Sequence, residues 1–186
     1  MHSTPLIRRL LFALIPLVLA AAPLAAQPGQ TKLASLKLGD SPYEIARPAL
    51  WRQGPITGES VLSSWVASDS FLYPLMSVTL EPLPVPGEPG VERLLTTLPE
   101  SFPAYRELQA SWVQIGGIRA HRSVSTWTSI FGKLKATRLL VPWNEKVFVV
   151  TFADLESTFA SNAQVYDLCI NALAPFESVE IPDKKP

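Results

Sequence analysis

The chain has 186 residues, with 16 basic and 16 acidic side chains, 18 prolines and a single cysteine. A balanced charge with no clustered Lys/Arg face excludes the electrostatic footprint that nucleic-acid binding requires. One cysteine excludes an internal disulfide, and a lone Cys169 in a helical pattern is expected to be a small core hydrophobe rather than a nucleophile.

The N-terminus opens with Arg8 and Arg9, continues as an apolar run from Leu10 to Ala22, and ends in Ala20-Ala21-Ala22-Pro23-Leu24-Ala25-Ala26. Positive, then apolar, then small is the order of a secretory signal peptide, and cleavage is expected between Ala26 and Gln27. Pro16 interrupts the run, which is short for a membrane span of about 20 residues. Gln27 stands where a lipoprotein would carry cysteine, and the flanks of Arg8-Arg9 are poor for twin-arginine export. The expected product is therefore periplasmic or secreted, with no stable membrane anchor after cleavage. It keeps 160 residues, with 14 basic against 16 acidic side chains, because the two leader arginines depart. That length suits one domain with a proper core.

Residues 27–37 are polar and read as a flexible or extended segment ahead of one domain over residues 38–176, with a polar tail over 177–186. Tyr43 to Arg47 reads as a short strand ended by Pro48, and Trp51 as a core plug. Gly54, Pro55 and Gly58 mark a loop. Val61 to Ser68 and Leu75 to Leu80 read as strands, and the four prolines and two glycines of Glu81 to Gly90 as a rigid exposed connection. Val91, Leu94, Leu95 and Leu98 recur at helix spacing, with Pro99 and Pro103 limiting that helix to about three turns.

Four strands follow. Leu108 to Ile115 turns at Gly116-Gly117 into Ile118 to Trp127. Leu134 to Pro142 then turns through Trp143-Asn144-Glu145-Lys146 into Val147 to Phe152, the most apolar run and hence the expected central strand. Phe159, Ala163, Tyr166, Ile170 and Leu173 form one apolar stripe, which predicts a closing helix over Ser157 to Leu173. Ser157 or Ser161 is its expected cap, the latter in a capping box with Gln164, and Pro175 its stop. Strands, helix, four strands, helix is an α+β order: an antiparallel sheet of about six strands covered by helices.

This order resembles the PsbP-like superfamily, which includes the Ran-binding Mog-type proteins and many small secreted bacterial proteins. Tyr43-Glu44-Ile45-Ala46-Arg47-Pro48 with Trp51 resembles the family's opening strand. Ile115-Gly116-Gly117-Ile118-Arg119-Ala120-His121-Arg122 resembles its mid-chain hairpin, Val147 to Ala153 its following long strand, and Leu173-Ala174-Pro175-Phe176 the end of its closing helix. The resemblance implies an α/β/α sandwich and a binding or assembly role, and the leader argues against an intracellular Ran partner.

The chemistry-bearing residues are few. His2 leaves with the leader, so His121 is the mature chain's one histidine. It alternates with Ala120 and reads as a solvated surface residue; a zinc or copper site recruits several such ligands, and no metal or cofactor site is expected. No Gly-x-Ser-x-Gly elbow occurs, and Ser68, Ser70, Ser123 and Ser125 read as turn and strand serines. Asp154 and Glu156 suit a helix N-terminus better than a carboxylate pair across a cleft. The remaining signal is aromatic. Phe71, Leu72 and Tyr73 in a loop, with Trp143 in a turn, make a candidate contact patch. The expected function is a non-enzymatic binding or accessory domain that meets an envelope protein. The alternatives are a carrier of a small apolar ligand between sheet and helix, and a hydrolase with an unrecognised site.

Overall fold

Period-two alternation in the second half of the chain closes into a long antiparallel meander. In the computed structural model, which describes residues 31–56 and 58–176, the strands are β1 (Leu33–Lys37), β2 (Tyr43–Pro48), β3 (Arg52–Gln53), β4 (Val61–Val66), β5 (Leu75–Pro82), β6 (Arg106–Ile115), β7 (Ile118–Ser129), β8 (Gly132–Trp143), β9 (Lys146–Leu155) and β10 (Ala174–Pro175). The helices are α1 (Glu88–Ser101) and α2 (Glu156–Asn171). The segment read as a signal peptide, with its expected Ala26/Gln27 cleavage site, and the tail over 177–186 lie outside the described residues.

The main sheet has seven strands in the order β3-β4-β5-β9-β8-β7-β6, one more than the sequence suggests because Arg52–Gln53 pairs with β4. β9 is its middle strand, as the Val147 to Phe152 run predicts. Three strands, β1-β2-β10, form a separate small sheet. Here one sequence expectation is narrowed, from flexible or extended to extended, and another fails. Residues 33–37 are a strand, because the backbone of Leu33 to Lys37 pairs in register with Pro48 to Glu44. Pro175 does not stop α2 directly: the helix ends at Asn171, and Ala174–Pro175 pairs with β2.

Alternation along the central strands sends two different sets of side chains to the two sheet faces. Leu139, Val141, Phe148, Val150 and Phe152 meet Phe159, Tyr166, Cys169 and Ile170 of α2, all buried. The small sheet adds Ile45 to this core. On the opposite face Leu140 and Val147 meet Val91 of α1, with Leu94, Leu95, Trp112 and Val149 only half-buried around them. The layers are thus helix, sheet, helix.

The helix ends also depart from expectation. Pro99 lies inside α1, which runs on to Ser101, while Pro89 occupies the first turn, where its missing N–H costs nothing. No serine caps α2. Its N-cap is Leu155, with no side-chain cap; the Asp154 carboxylate just before it accepts from the Leu155 N–H at 2.7 Å and the Thr158 hydroxyl at 2.7 Å. Ser161 lies in the second turn and cannot reach the free N–H groups at the start.

Gly116 and Gly117 both have positive φ, as a two-residue hairpin turn demands. A Cβ on Gly116 would also run into the Leu173 carbonyl oxygen, so Gly116→Ala combines left-handed strain with a backbone clash. The expected cost is about 1–3 kcal/mol, read as a lowered denaturation midpoint. Gly117→Ala meets no neighbouring atom and is expected to cost less.

Candidate functional site

The α1 face holds an open cleft of about 450 Å³, within the roughly 300–1,000 Å³ of small-molecule sites. Its wall is α1, through Leu94, Thr97 and Leu98, with Phe102 just beyond. Its floor is the outward-facing set of β5, β9, β8 and β7.

Register explains the floor. Ser64 pairs with Ser77, Ser77 with Thr151, Thr151 with Arg138, and Arg138 with Ser123. Five polar residues from five strands therefore line up across the sheet. The row on one side includes Val149 and Leu140, and the row on the other Leu75, Ala153 and Ala136. The cleft lining is mainly apolar, with this polar row across it and Thr79, Glu81, Thr97 and Ser101 at other points.

Arg138 is the unusual member. Its side chain is 4% exposed and its Nη1 donates to Ser125 Oγ at 2.7 Å. The guanidinium carbon lies 4.9 Å from the Trp127 ring centre, 5.0 Å from Phe102 and 5.9 Å from Tyr105. Aromatic faces attract a cation and offset part of its desolvation. Burial lowers the Arg138 pKa from its usual range, and the Tyr105 side chain beside it opposes the shift. Among the described residues no carboxylate lies within ion-pair reach of it. The Tyr105 hydroxyl and Ser123 Oγ are buried without hydrogen-bond partners among the described residues. Sequence reasoning missed this site. Its one signal is a charge at position 138 directly before the apolar run Leu139 to Val141, within the stretch Ala136 to Val141 that is buried throughout.

The candidate patch divides. Phe71, Leu72 and Tyr73 lie in the β4–β5 loop beside the Ala153 end of β9, whereas Trp143 pairs with Lys146 at the other end of that strand. Trp143 is therefore no part of a common patch. It stacks on Phe148 at 5.6 Å and joins the core, because β8 runs on through it. Tyr73 reaches the cleft and meets Phe131 edge-on at 6.0 Å. Burial raises the Tyr73 phenol pKa. Phe71 is 87% exposed and Ile130, beside Phe131, is 94% exposed.

His121 is not a surface residue. Both it and Ala120 are buried, because β7 is covered on both faces. Its ring meets Trp112 edge-on at 5.3 Å and its Nδ1 is buried without a partner among the described residues. Burial lowers its pKa, with Glu107 and Glu92 opposing. A histidine with a depressed folded pKa binds fewer protons folded than unfolded, so stability falls as pH drops below about 6.5. Urea titrations from pH 7.5 to 5 are expected to show that loss, and His121→Gln to flatten it. An unchanged slope in the variant would refute the assignment.

Cys169 is buried and its thiol is pushed up to about 12, consistent with an inert core residue. Glu156 pairs with Lys133 at 2.9 Å. No cluster of three His, Cys, Asp or Glu side chains suited to a metal occurs among the described residues. No helix of the described residues is long and apolar enough to cross a membrane. A second groove of about 470 Å³, near Gly116, Gly117 and Arg119, is shallow, and its guanidinium is already paired with Glu88 at 3.0 Å.

The fold is shared with solved structures. Cyanobacterial PsbP (CyanoP) from Synechocystis sp. PCC 6803 matches at TM-score 0.61 and 12% identity, over 83% of this chain and 100% of that one. LpqN, involved in cell envelope biogenesis of Mycobacterium tuberculosis, matches at 0.50 and 12%, over 78% and 91%. A Pseudomonas aeruginosa protein of unknown function matches at 0.52 and 12%, over 78% and 99%. No protein-family model and no curated sequence matches the chain. The chain is an α+β protein of PsbP-like fold, as its hairpin and strand motifs suggest.

Proposed function

We propose that the chain is an exported, non-enzymatic accessory protein of the cell envelope that holds a small apolar or amphiphilic ligand in the α1 cleft. The observation that carries this reading is the asymmetry of the sheet: the α2 face is filled by buried side chains, while the α1 face keeps an open, largely apolar cleft. The leader-like N-terminus and the likeness in fold to an envelope-biogenesis protein support the location. The exposed Phe71 tip beside the mouth is the proposed contact edge toward an envelope protein. The non-enzymatic reading draws on His121, whose ring lies against Trp112 and whose Nδ1 has no orienting partner among the described residues.

The test is binding of the neutral apolar dye N-phenyl-1-naphthylamine, read by fluorescence. The wild type is expected to bind it saturably. Ser77→Phe, which fills the floor, is expected to abolish binding while the circular dichroism spectrum is unchanged. Absence of saturable binding, or full binding by Ser77→Phe, would refute the reading. Native mass spectrometry of protein from its own host is expected to show a co-purified lipid-sized adduct.

A further inference from the structure

We infer that the cleft selects an amphiphile with one anionic head group, seated on Arg138 and the hydroxyls of Thr151 and Ser77, with its apolar chain lying between Leu94, Leu98 and Val149. The inference rests on the ligand-binding reading above and gives it a substrate class.

A cation taken out of water needs compensation. Arg138 has five N–H donors. The structure gives one of them a hydroxyl acceptor, Ser125 Oγ at 2.7 Å, and puts three aromatic rings around the plane. It supplies no carboxylate partner among the described residues. A planar guanidinium on the floor of a cleft is the group best suited to take a carboxylate or phosphate in two parallel hydrogen bonds.

The surroundings fit an ion with a tail. In the transverse row, the neighbour of Arg138 toward the cleft centre is Thr151, followed by Ser77, and both line the cleft. Its neighbour on the other side is Ser123, whose buried Oγ lacks a partner among the described residues. The flanking rows bring Val149, Leu140, Leu75 and Ala153 to the cleft, which suits a hydrocarbon chain. Glu81 lines the cleft two alternation steps beyond Ser77 and bonds with Ser60 at 3.3 Å. A head group there would meet a like charge, so the anion is directed to Arg138.

The experiment compares dodecanoate, dodecyl phosphate, dodecanol and dodecyltrimethylammonium by dye displacement and calorimetry below their micelle concentrations. The expected result is that one or both anions bind at least about tenfold tighter than dodecanol, and the cation weakest. The better of the two anions identifies the head group. Arg138→Met is expected to bring the anions to the level of dodecanol and to leave dodecanol unchanged. Thr151→Val, a milder change on the same row, is expected to cut the anion preference several-fold, and it decides the matter if Arg138→Met does not fold. Equal binding of anions and dodecanol, or an anion preference untouched by the variants, overturns the inference and leaves the cleft reading standing. Failure of all four amphiphiles to bind overturns both.

Discussion

Replacing Asp154 with alanine is expected to cost about 3–5 kcal/mol, the largest loss from any single polar substitution in this protein. The carboxylate is 1% exposed and accepts from four donors: the Leu155 N–H, the Thr158 hydroxyl, Asn162 Nδ2 at 2.8 Å and the Tyr166 hydroxyl at 3.1 Å. Three of these donors belong to α2 itself, at Thr158, Asn162 and Tyr166. Asp154 therefore ties the end of β9 to one side of the helix. Hydrogen bonds to a charged acceptor contribute about 1.5–3 kcal/mol each, and a buried donor left alone loses about 1–3. Tyr166 is fully buried, so its hydroxyl has no water to turn to. Burial and the adjoining Asp154 carboxylate both raise its pKa, which keeps the phenol protonated as the donor. At about 2–4 °C per kcal/mol for a chain of this size, the melting temperature is expected to fall by roughly 6–20 °C. Asp154→Asn keeps an acceptor and is expected to cost less, about 1–3 kcal/mol. A loss below 1 kcal/mol for Asp154→Ala would show that the network does not hold α2.

The second large effect is expected at Phe152. It is fully buried in the middle strand, faces α2 and stacks on Tyr166 with ring centres 5.3 Å apart and planes 25° apart. Phe152→Ala removes that ring and leaves a cavity between two rigid elements, at about 3–5 kcal/mol. Val149, three residues earlier, faces the other way and is only half-buried over the cleft. Val149→Ala is expected to cost under about 1.5 kcal/mol, since little surrounds it there. Chemical denaturation of the pair tests the asymmetry of the sheet directly. Equal losses would mean that the α1 face is as tightly filled as the α2 face, and the cleft would have no basis.

Much of the fold is legible in the residues. The Val147 to Phe152 run carries apolar side chains toward both faces, Phe148, Val150 and Phe152 toward α2 and Val147 toward α1, and that places it in the middle of the sheet. The Gly116-Gly117 pair marks a two-residue hairpin because both positions take positive φ. The stripe from Phe159 to Ile170 marks α2 for the same kind of reason: one face is buried and the helix period repeats it. Other features resist reading. His121 looks surface-bound because alternation with Ala120 suggests one wet face, yet β7 is buried on both sides. Leu33–Lys37 looks like a loose polar lead-in, because an edge strand of a small sheet needs few buried side chains. The site itself is invisible in linear order. Ser64, Ser77, Ser123, Arg138 and Thr151 become neighbours only once register aligns five strands. Trp143 misleads for the opposite reason: turn residues beside it suggest exposure, while the strand carries its ring onto Phe148.

The central claim is that the α1 face, and not any other surface, receives the ligand. Amide chemical-shift mapping with dodecanoate on isotope-labelled protein tests it most directly. Saturable shifts are expected at Leu94, Leu98, Trp127, Arg138 and Thr151, with Gly117 and Arg119 of the second groove unmoved. Shifts confined to the Gly117–Arg119 groove or to the α2 face, or no saturable shifts at all, would contradict it.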